Sequence, residues 1–199
     1  MKKTIGIVGA GSIGKALATH LLNSGYSVTI SNSKSPESLK AIVSQLGAGA
    51  KAVTTAENLK ADIVVLALPW LQVQTLTHLA NWNNKIVIDT TNHFITSDFQ
   101  LADLGGRSSS EVVLDHLPGA RLVKAFNSLS SRTLAENPNF EYGNRVILIS
   151  GDDNEATVQV SEMITDIGFA PVDMGSLAVG SKLQEPKGSL CSLNLIKLK

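Results

Sequence analysis

Between a β-branched run, Thr4 to Val8, and an amphipathic stretch, Ser12 to Asn23, the chain reads Gly9-Ala10-Gly11-Ser12-Ile13-Gly14. A G-x-G-x-x-G pattern carries weight only in this setting, after a strand and at the opening of a helix. Each glycine then has a mechanical task. Gly9 permits the tight turn, Gly11 lets the backbone approach a pyrophosphate, and Gly14 lets the helix pack closely on the sheet. The amides of Ala10, Gly11, Ser12 and Ile13, at the positive end of the helix, can hold phosphate oxygens. Strand, glycine turn and helix commit the N-terminal part of the chain to a βαβ unit, and so to parallel strands.

The same alternation continues. Ser27 to Ile30 reads as a second strand. "SPESLKAIVSQLG" reads as a second helix, with Ser35 as its cap, Pro36 at its first position and Gly47 beyond its end. "KAVT" is a short third strand, Asp62 to Leu68 an apolar strand, Trp70 to Ala80 a helix and Lys85 to Ile88 a strand. Helices at Ser110 to Leu117, Leu129 to Glu136 and Asn154 to Ile167 then alternate with strands at Arg121 to Ala125, Arg145 to Ser150 and Ala170 to Asp173. Asp152 and Glu155 have the spacing of a capping pair for the last helix. Nearly continuous apolar strands between helices predict an α/β fold with a doubly wound, mainly parallel sheet of Rossmann type. Residues 1–174 form that domain, and residues 175–199 a C-terminal extension that covers the crevice or meets a second subunit. Loops after strand carboxyl ends build the ligand crevice in such sheets, so Asn92 to Arg107 and the extension should carry specificity.

A chain of 199 residues, 43% of them hydrophobic, can bury one such core but not two. Its 17 basic and 17 acidic residues cancel, which removes the broad field that draws a protein to nucleic acid or an acidic membrane. The run "ADIVVLALPWL" is far shorter than the roughly 20 residues of a membrane helix, so a soluble protein is expected. Cys191 is the only cysteine, which excludes an internal disulfide and suits the cytoplasm. Histidines and acids are too scattered to propose a metal site.

An acid about 20 residues after the fingerprint would bind the ribose 2′-hydroxyl of NAD and repel a 2′-phosphate. None occurs between Gly14 and Pro36. Ser31, Asn32, Ser33, Lys34 and Ser35 offer instead hydroxyls, an amide and an ammonium, a set suited to a dianion. Charge-assisted hydrogen bonds contribute about 1.5–3 kcal/mol each. Two or three of them favour NADP over NAD.

The segments "IGIVGAGSIGKALATHLLNSGYSVTISNS", "DIVVLALPW", "KIVIDTTN", "LVKAFNSLS" and "DMGSLAVGSKLQ", in this order, resemble the NADP-dependent deazaflavin (factor 420) reductase family. That family includes the cytosolic domain of the six-transmembrane ferric reductases. The resemblance covers most of the chain and implies hydride transfer between NADP(H) and a flavin (FMN or FAD) or deazaflavin, in a cytoplasmic homodimer. By position it implies that Ala10 to Ile13 hold the pyrophosphate and that Asn32, Ser33 and Lys34 hold the 2′-phosphate. Leu68 and Pro69 would line the ribose and nicotinamide, and Ala125 to Asn127 would lie near the ring. Two features depart from the family pattern. Ser33-Lys34 stands where relatives often carry arginine, which replaces a bidentate grip by a point charge. "VKAFNS" is closer to the ferric-reductase domain than to the archaeal deazaflavin enzymes. The β-hydroxyacid and 6-phosphogluconate dehydrogenases resemble the nucleotide domain only, and the extension is too short for their large helical domain.

Transfer between two cofactors asks for proximity and orientation more than for acid or base catalysis, so no catalytic side chain is assigned. His93 is placed near the crevice by the topology and reads as a loop histidine or a contact to the second substrate. Asp89 reads as structural. Trp70 reads equally as a border of the flavin site or as packing. Two other functions fit the same sequence: a catalytically idle NADP-binding sensor, and a dehydrogenase of a small carbonyl compound.

Overall fold

The computed structural model describes residues 2–199. Strand β1 (Thr4–Val8) passes through the glycine turn into helix α1 (Ser12–Asn23), and β2 (Ser27–Ser31) follows in parallel. A 3-10 turn, Pro36–Leu39, runs into α2 (Lys40–Leu46), then come β3 (Ala50–Ala52), α3 (Thr55–Asn58) and β4 (Ile63–Leu66). A 3-10 helix, Trp70–Leu76, leads to β5 (Ile86–Asp89), α4 (Ser109–His116), β6 (Arg121–Ala125) and α5 (Ser131–Ala135). The chain ends with β7 (Asn139–Phe140), β8 (Gly143–Gly151), α6 (Asn154–Asp166), β9 (Ala170–Asp173), α7 (Gly180–Gln184) and β10 (Ile196–Leu198).

The sheet order is β3-β2-β1-β4-β5-β6-β8-β10, with β7 and β9 also on β8. From β3 to β6 every pairing is parallel; β8 then runs antiparallel to β6. The sheet is the doubly wound, mainly parallel one that the alternation predicts. Both faces are covered, which the strands show residue by residue: Ile63 and Val65 of β4 belong to the core shared with α1 and α6, while Val64 and Leu66 belong to the core shared with the 3-10 segment and α4. Because β1 lies between β2 and β4, the crossovers on its two sides diverge, and a crevice opens beyond the carboxyl ends of these strands. Among the described residues no helix is long and apolar enough to cross a membrane.

Several elements differ from expectation, for identifiable reasons. Residues 70 to 80 form no α-helix. The hydroxyls of Thr75 and Thr77 donate to the carbonyls of Gln72 and Gln74, three residues back, which suits the tighter 3-10 winding. The second helix likewise starts as a 3-10 turn, with the Ser38 hydroxyl donating to Ser35 O. The unforeseen α3 carries a full capping box between Thr54 and Glu57. The extension contributes β10, which joins the sheet antiparallel to β8.

The cap of α6 is Asp153, not Asp152. Asp153 Oδ1 accepts the amide of Ala156 at 2.8 Å, while its two oxygens receive the guanidinium of Arg121 at 2.9 and 2.7 Å. Asp152 instead accepts the amide of Leu177 at 3.0 Å, tying the extension to the end of β8. The Arg121 guanidinium and the Ala156 amide hold the Asp153 carboxyl at about 2, below the usual carboxylate range. A lowered acid pKa stabilises the fold above the unfolded value, and the effect fades as pH falls through the folded value. Asp153→Ala should therefore cost about 1 kcal/mol at pH 7. In urea unfolding, the charge-dependent part of that difference should disappear between roughly pH 4 and pH 2.

Candidate functional site

Beyond the ends of β1, β2 and β4 lies a cavity of about 520 Å³, walled by Gly9, Ala10, Gly11, Asn32, Ser33, Leu68 and Pro69, with Thr55, Gln72 and Thr75 opposite. A second cavity, about 470 Å³, is lined by Ile13, Trp70, Thr91, Asn92, Phe94 and Ile95. Both include Ala67, Leu68 and Pro69 in their walls, so the two adjoin across this segment at the sheet's switch point, and together they are the groove considered below. Of the candidate residues, seven meet in the first cavity, and Ile13 joins Leu68 and Pro69 in the second.

The glycine turn fits a dinucleotide pyrophosphate. A Cβ on Gly9, whose φ is +116°, would overlap the carbonyl of Ala67, and a Cβ on Gly14 would overlap that of Gly9. These two glycines set α1 against the sheet. Gly11 differs: its φ is −73° and a Cβ there would meet nothing within 4 Å, so its backbone faces open space. No side chain caps α1 and no acid lies in its first turn. The amides of that turn thus retain the donor capacity and positive end that phosphates need.

The loop after β2 divides the remaining candidates. Ser31 is fully buried, and its hydroxyl accepts Asn58 Nδ2 at 2.8 Å, in a network where Asn58 also donates to Ile7 O. Its side chain braces the sheet and does not enter the groove, because the last residue of β2 points inward. Asn32 spends its side chain on the loop itself: Oδ1 accepts the amide of Lys34 at 2.9 Å and Nδ2 donates to Ser38 Oγ at 3.0 Å. Ser33 and Lys34 are exposed at the tip that this turn creates.

Of the residues expected near the ring, Ala125 is fully buried in the core and walls neither cavity. Phe126, with φ +63°, turns the chain sharply after β6. Asn127 lies behind the groove wall. Its Nδ2 donates to Asn92 Oδ1 and to Gln184 O, both at 3.0 Å, while Asn92 Nδ2 returns a bond to Asn127 O. Asn92, the first residue of the segment expected to carry specificity but given no role of its own there, is therefore the one of this pair that lines the cavity. Its position after β5 was the available signal. His93 faces away from the second cavity, toward Glu185, with Nδ1 3.6 Å from Oε2. Burial pushes its pKa below the ordinary range, against the pull of the Glu185 carboxylate, so the ring is neutral at pH 7. Trp70 borders the second cavity and meets the His93 ring edge to face.

The family model described as NADP oxidoreductase, coenzyme F420-dependent, matches residues 4–93. A solved protein of Sinorhizobium meliloti, described only as hypothetical, is 40% identical with a TM-score of 0.93, over 99% of this chain and 96% of its own. Residues 4–93 thus form a domain of the coenzyme F420-dependent NADP oxidoreductase family. Within reach of that family, rat (Rattus norvegicus) Metalloreductase STEAP3 is 33% identical over 183 residues, 90% of this chain and 35% of the relative. The chain thus spans about a third of the length of its curated relatives. A candidate F420-dependent NADP reductase from Arthrobacter sp. FB24 shares the fold, with a TM-score of 0.76 at 22% identity over 88% of this chain and 86% of its own. The family match contains the glycine turn, Ser33-Lys34 and Leu68-Pro69, and NADP-dependent oxidoreduction is the family's chemistry.

The packing role of Gly9 and the open approach at Gly11 separate experimentally. Gly9→Ala should lower stability by about 2 kcal/mol or more, since it combines overlap with a disfavoured backbone angle. Gly11→Val should leave the melting temperature nearly unchanged, while weakening NADPH at least about tenfold in a fluorescence titration by filling the phosphate approach.

Proposed function

We propose that this protein transfers a hydride between NADP(H) and a flavin or deazaflavin. The observation that carries the choice of acceptor is the ring-end cavity, whose wall holds no titratable side chain: its polar side-chain groups are the hydroxyls of Thr90, Thr91, Thr96 and Ser97, the amide of Asn92 and the indole N–H of Trp70, the last taken by Ser109 O. Reduction of a carbonyl substrate needs a positioned proton donor as the hydride arrives, whereas a flavin can take its proton from water. NADPH, when bound, supplies the hydride from its nicotinamide.

The chain's own residues bind and orient. The α1 amides and Gly11 receive the pyrophosphate, and Ser33 and Lys34 receive the 2′-phosphate, with Asn32 shaping the turn that presents them. Leu68 and Pro69, common to both cavities, carry the path from the phosphate end to the ring end. Trp70, Phe94 and Ile95 give the ring end an apolar wall that limits water near the reacting atoms. The family match over residues 4–93 and the acid-free loop after β2 both support NADP(H) as the nucleotide.

Mixing the protein with NADPH and, in turn, FMN, FAD, riboflavin and the deazaflavin, while following nicotinamide absorbance, tests this reading. Oxidation with at least one of these acceptors is expected. Tight NADPH binding without turnover by any of them would overturn it, and flavin-free oxidation by a small carbonyl compound would transfer the assignment to a dehydrogenase. For the nucleotide, Lys34→Ala should weaken NADPH about tenfold or more and leave NADH within about twofold, as expected for one lost charge-assisted bond. Equal losses for both would remove Lys34 from the phosphate site.

A further inference from the structure

The groove is backed by a pair of opposite charges that never reaches it. Asp89 of β5 and Lys124 of β6 are register partners, and neither side chain exposes any surface. Lys124 Nζ donates to Asp89 Oδ2 at 3.0 Å, Thr91 O at 2.6 Å and Ser109 Oγ at 3.1 Å, which uses all three of its hydrogens. Asp89 Oδ1 accepts the amide and hydroxyl of Thr91, and Oδ2 also accepts the hydroxyl of Ser110.

Burying both charges costs desolvation that their attraction barely offsets, so such a pair is a poor device for stability alone. Its bonds lead to the ring end. Thr91 lines that cavity, and the carbonyl of Ser109 accepts the indole N–H of Trp70, which lines it too. The amide of Ser109 donates to Glu185 in the extension. One ammonium thus fixes a polar wall, an aromatic wall and the chain segment behind them.

We propose that Lys124 and Asp89 are positioning residues for hydride transfer, holding Thr91 and Trp70 so that the acceptor ring meets the nicotinamide in a reactive arrangement. The proposal rests on the reading of the second cavity as the ring end. The pair touches neither ligand. The phosphate end is stitched separately, by Gly9 N to Ser31 O and Ala67 N to Val8 O, each at 2.8 Å, so disturbance of the pair stays at the ring end.

The test uses the full chain with NADPH and FMN, comparing wild type, Lys124→Met, Asp89→Asn/Lys124→Met and Ser109→Ala. The readouts are NADPH affinity, kcat and KM for FMN, the primary isotope effect with C4-deuterated NADPH, and the emission of Trp70 in a Trp82→Phe background. With Lys124→Met or the neutral double variant, NADPH affinity should stay within about twofold, while kcat/KM for FMN falls about tenfold or more, as expected from misplaced reacting groups. The isotope effect should change and Trp70 emission should shift. A loss of NADPH binding and turnover in proportion to the unfolded fraction would overturn the proposal, as would unchanged FMN kinetics. Should Lys124→Met fail to fold, Ser109→Ala removes one acceptor without stranding a charge, and an unaltered isotope effect and Trp70 emission there would also overturn it. If wild type reduces no flavin, the functional reading fails, and Trp70 emission alone still decides whether the pair holds the wall.

Discussion

The site depends on one steric constraint: the carbonyl of Ala67, just past the end of β4, lies where any side chain on Gly9 would begin. Only a glycine with positive φ lets the chain leave β1 and turn into α1 at that spot. The carbonyl of Gly9 in turn crowds Gly14, which brings the first turn of α1 down onto the sheet. Loosening any of these contacts would lift the helix end, and its free amides, away from the switch point between β1 and β4. The groove is therefore a product of backbone packing first and of side-chain chemistry second.

Charge in this molecule follows the same economy. Backbone amides at the start of α1 suit a phosphate ligand because they are already fixed by the helix and would lose no side-chain entropy on binding. Carboxylates close to the groove are committed elsewhere: Glu57 caps α3, Glu185 accepts from the first amide of α4, and Asp89 meets Lys124. Each such commitment keeps negative charge from opposing an anionic ligand. The lysines divide into two roles. Lys34 is exposed on a turn and free to approach phosphate, whereas Lys124 is saturated with bonds and cannot leave its place.

Much of this was legible in the sequence. The βαβ rhythm predicted the doubly wound, mainly parallel sheet, because apolar strands and glycine breaks are strong local signals, whereas the strand order is seen only in the fold. What failed was local competition between nearly equal choices. Thr75 and Thr77 tipped an apolar, helix-like segment into 3-10 winding through bonds that periodicity does not record. Asp153 won the cap from Asp152 because Arg121, distant in sequence, reaches it. Ser31 and Asn127 have the right chemistry for a ligand but spend it inward, on Asn58 and on Asn92. Inward or outward direction at a strand end is set by the last residue's alternation, and a shift of one residue reverses it. The "TTAE" capping box before α3 and the lone lysine of "LVKAF" were readable signals, the first for a short helix and the second for a buried charge.

The two ends of the groove are built from different kinds of structure, and this has a consequence for how the fold can be used. The phosphate end is made by β1, β2, β4 and their turns, where sheet geometry leaves little choice of residue. The ring end is made by the segments after β5 and β6, braced by α7 and by the Ser192 amide on Ser128 O. Loops tolerate change that strands do not. The family match ends at His93, where the chain passes from the first kind of structure to the second. Under the proposed function, a rigid nucleotide end joined to a loop-built second end would let one sheet keep its nucleotide site while the walls of the second cavity vary. In that arrangement the buried Asp89–Lys124 pair sits at the joint: it belongs to the strands by position and to the loops by its bonds, so it transmits the rigidity of the sheet to walls that would otherwise lack it.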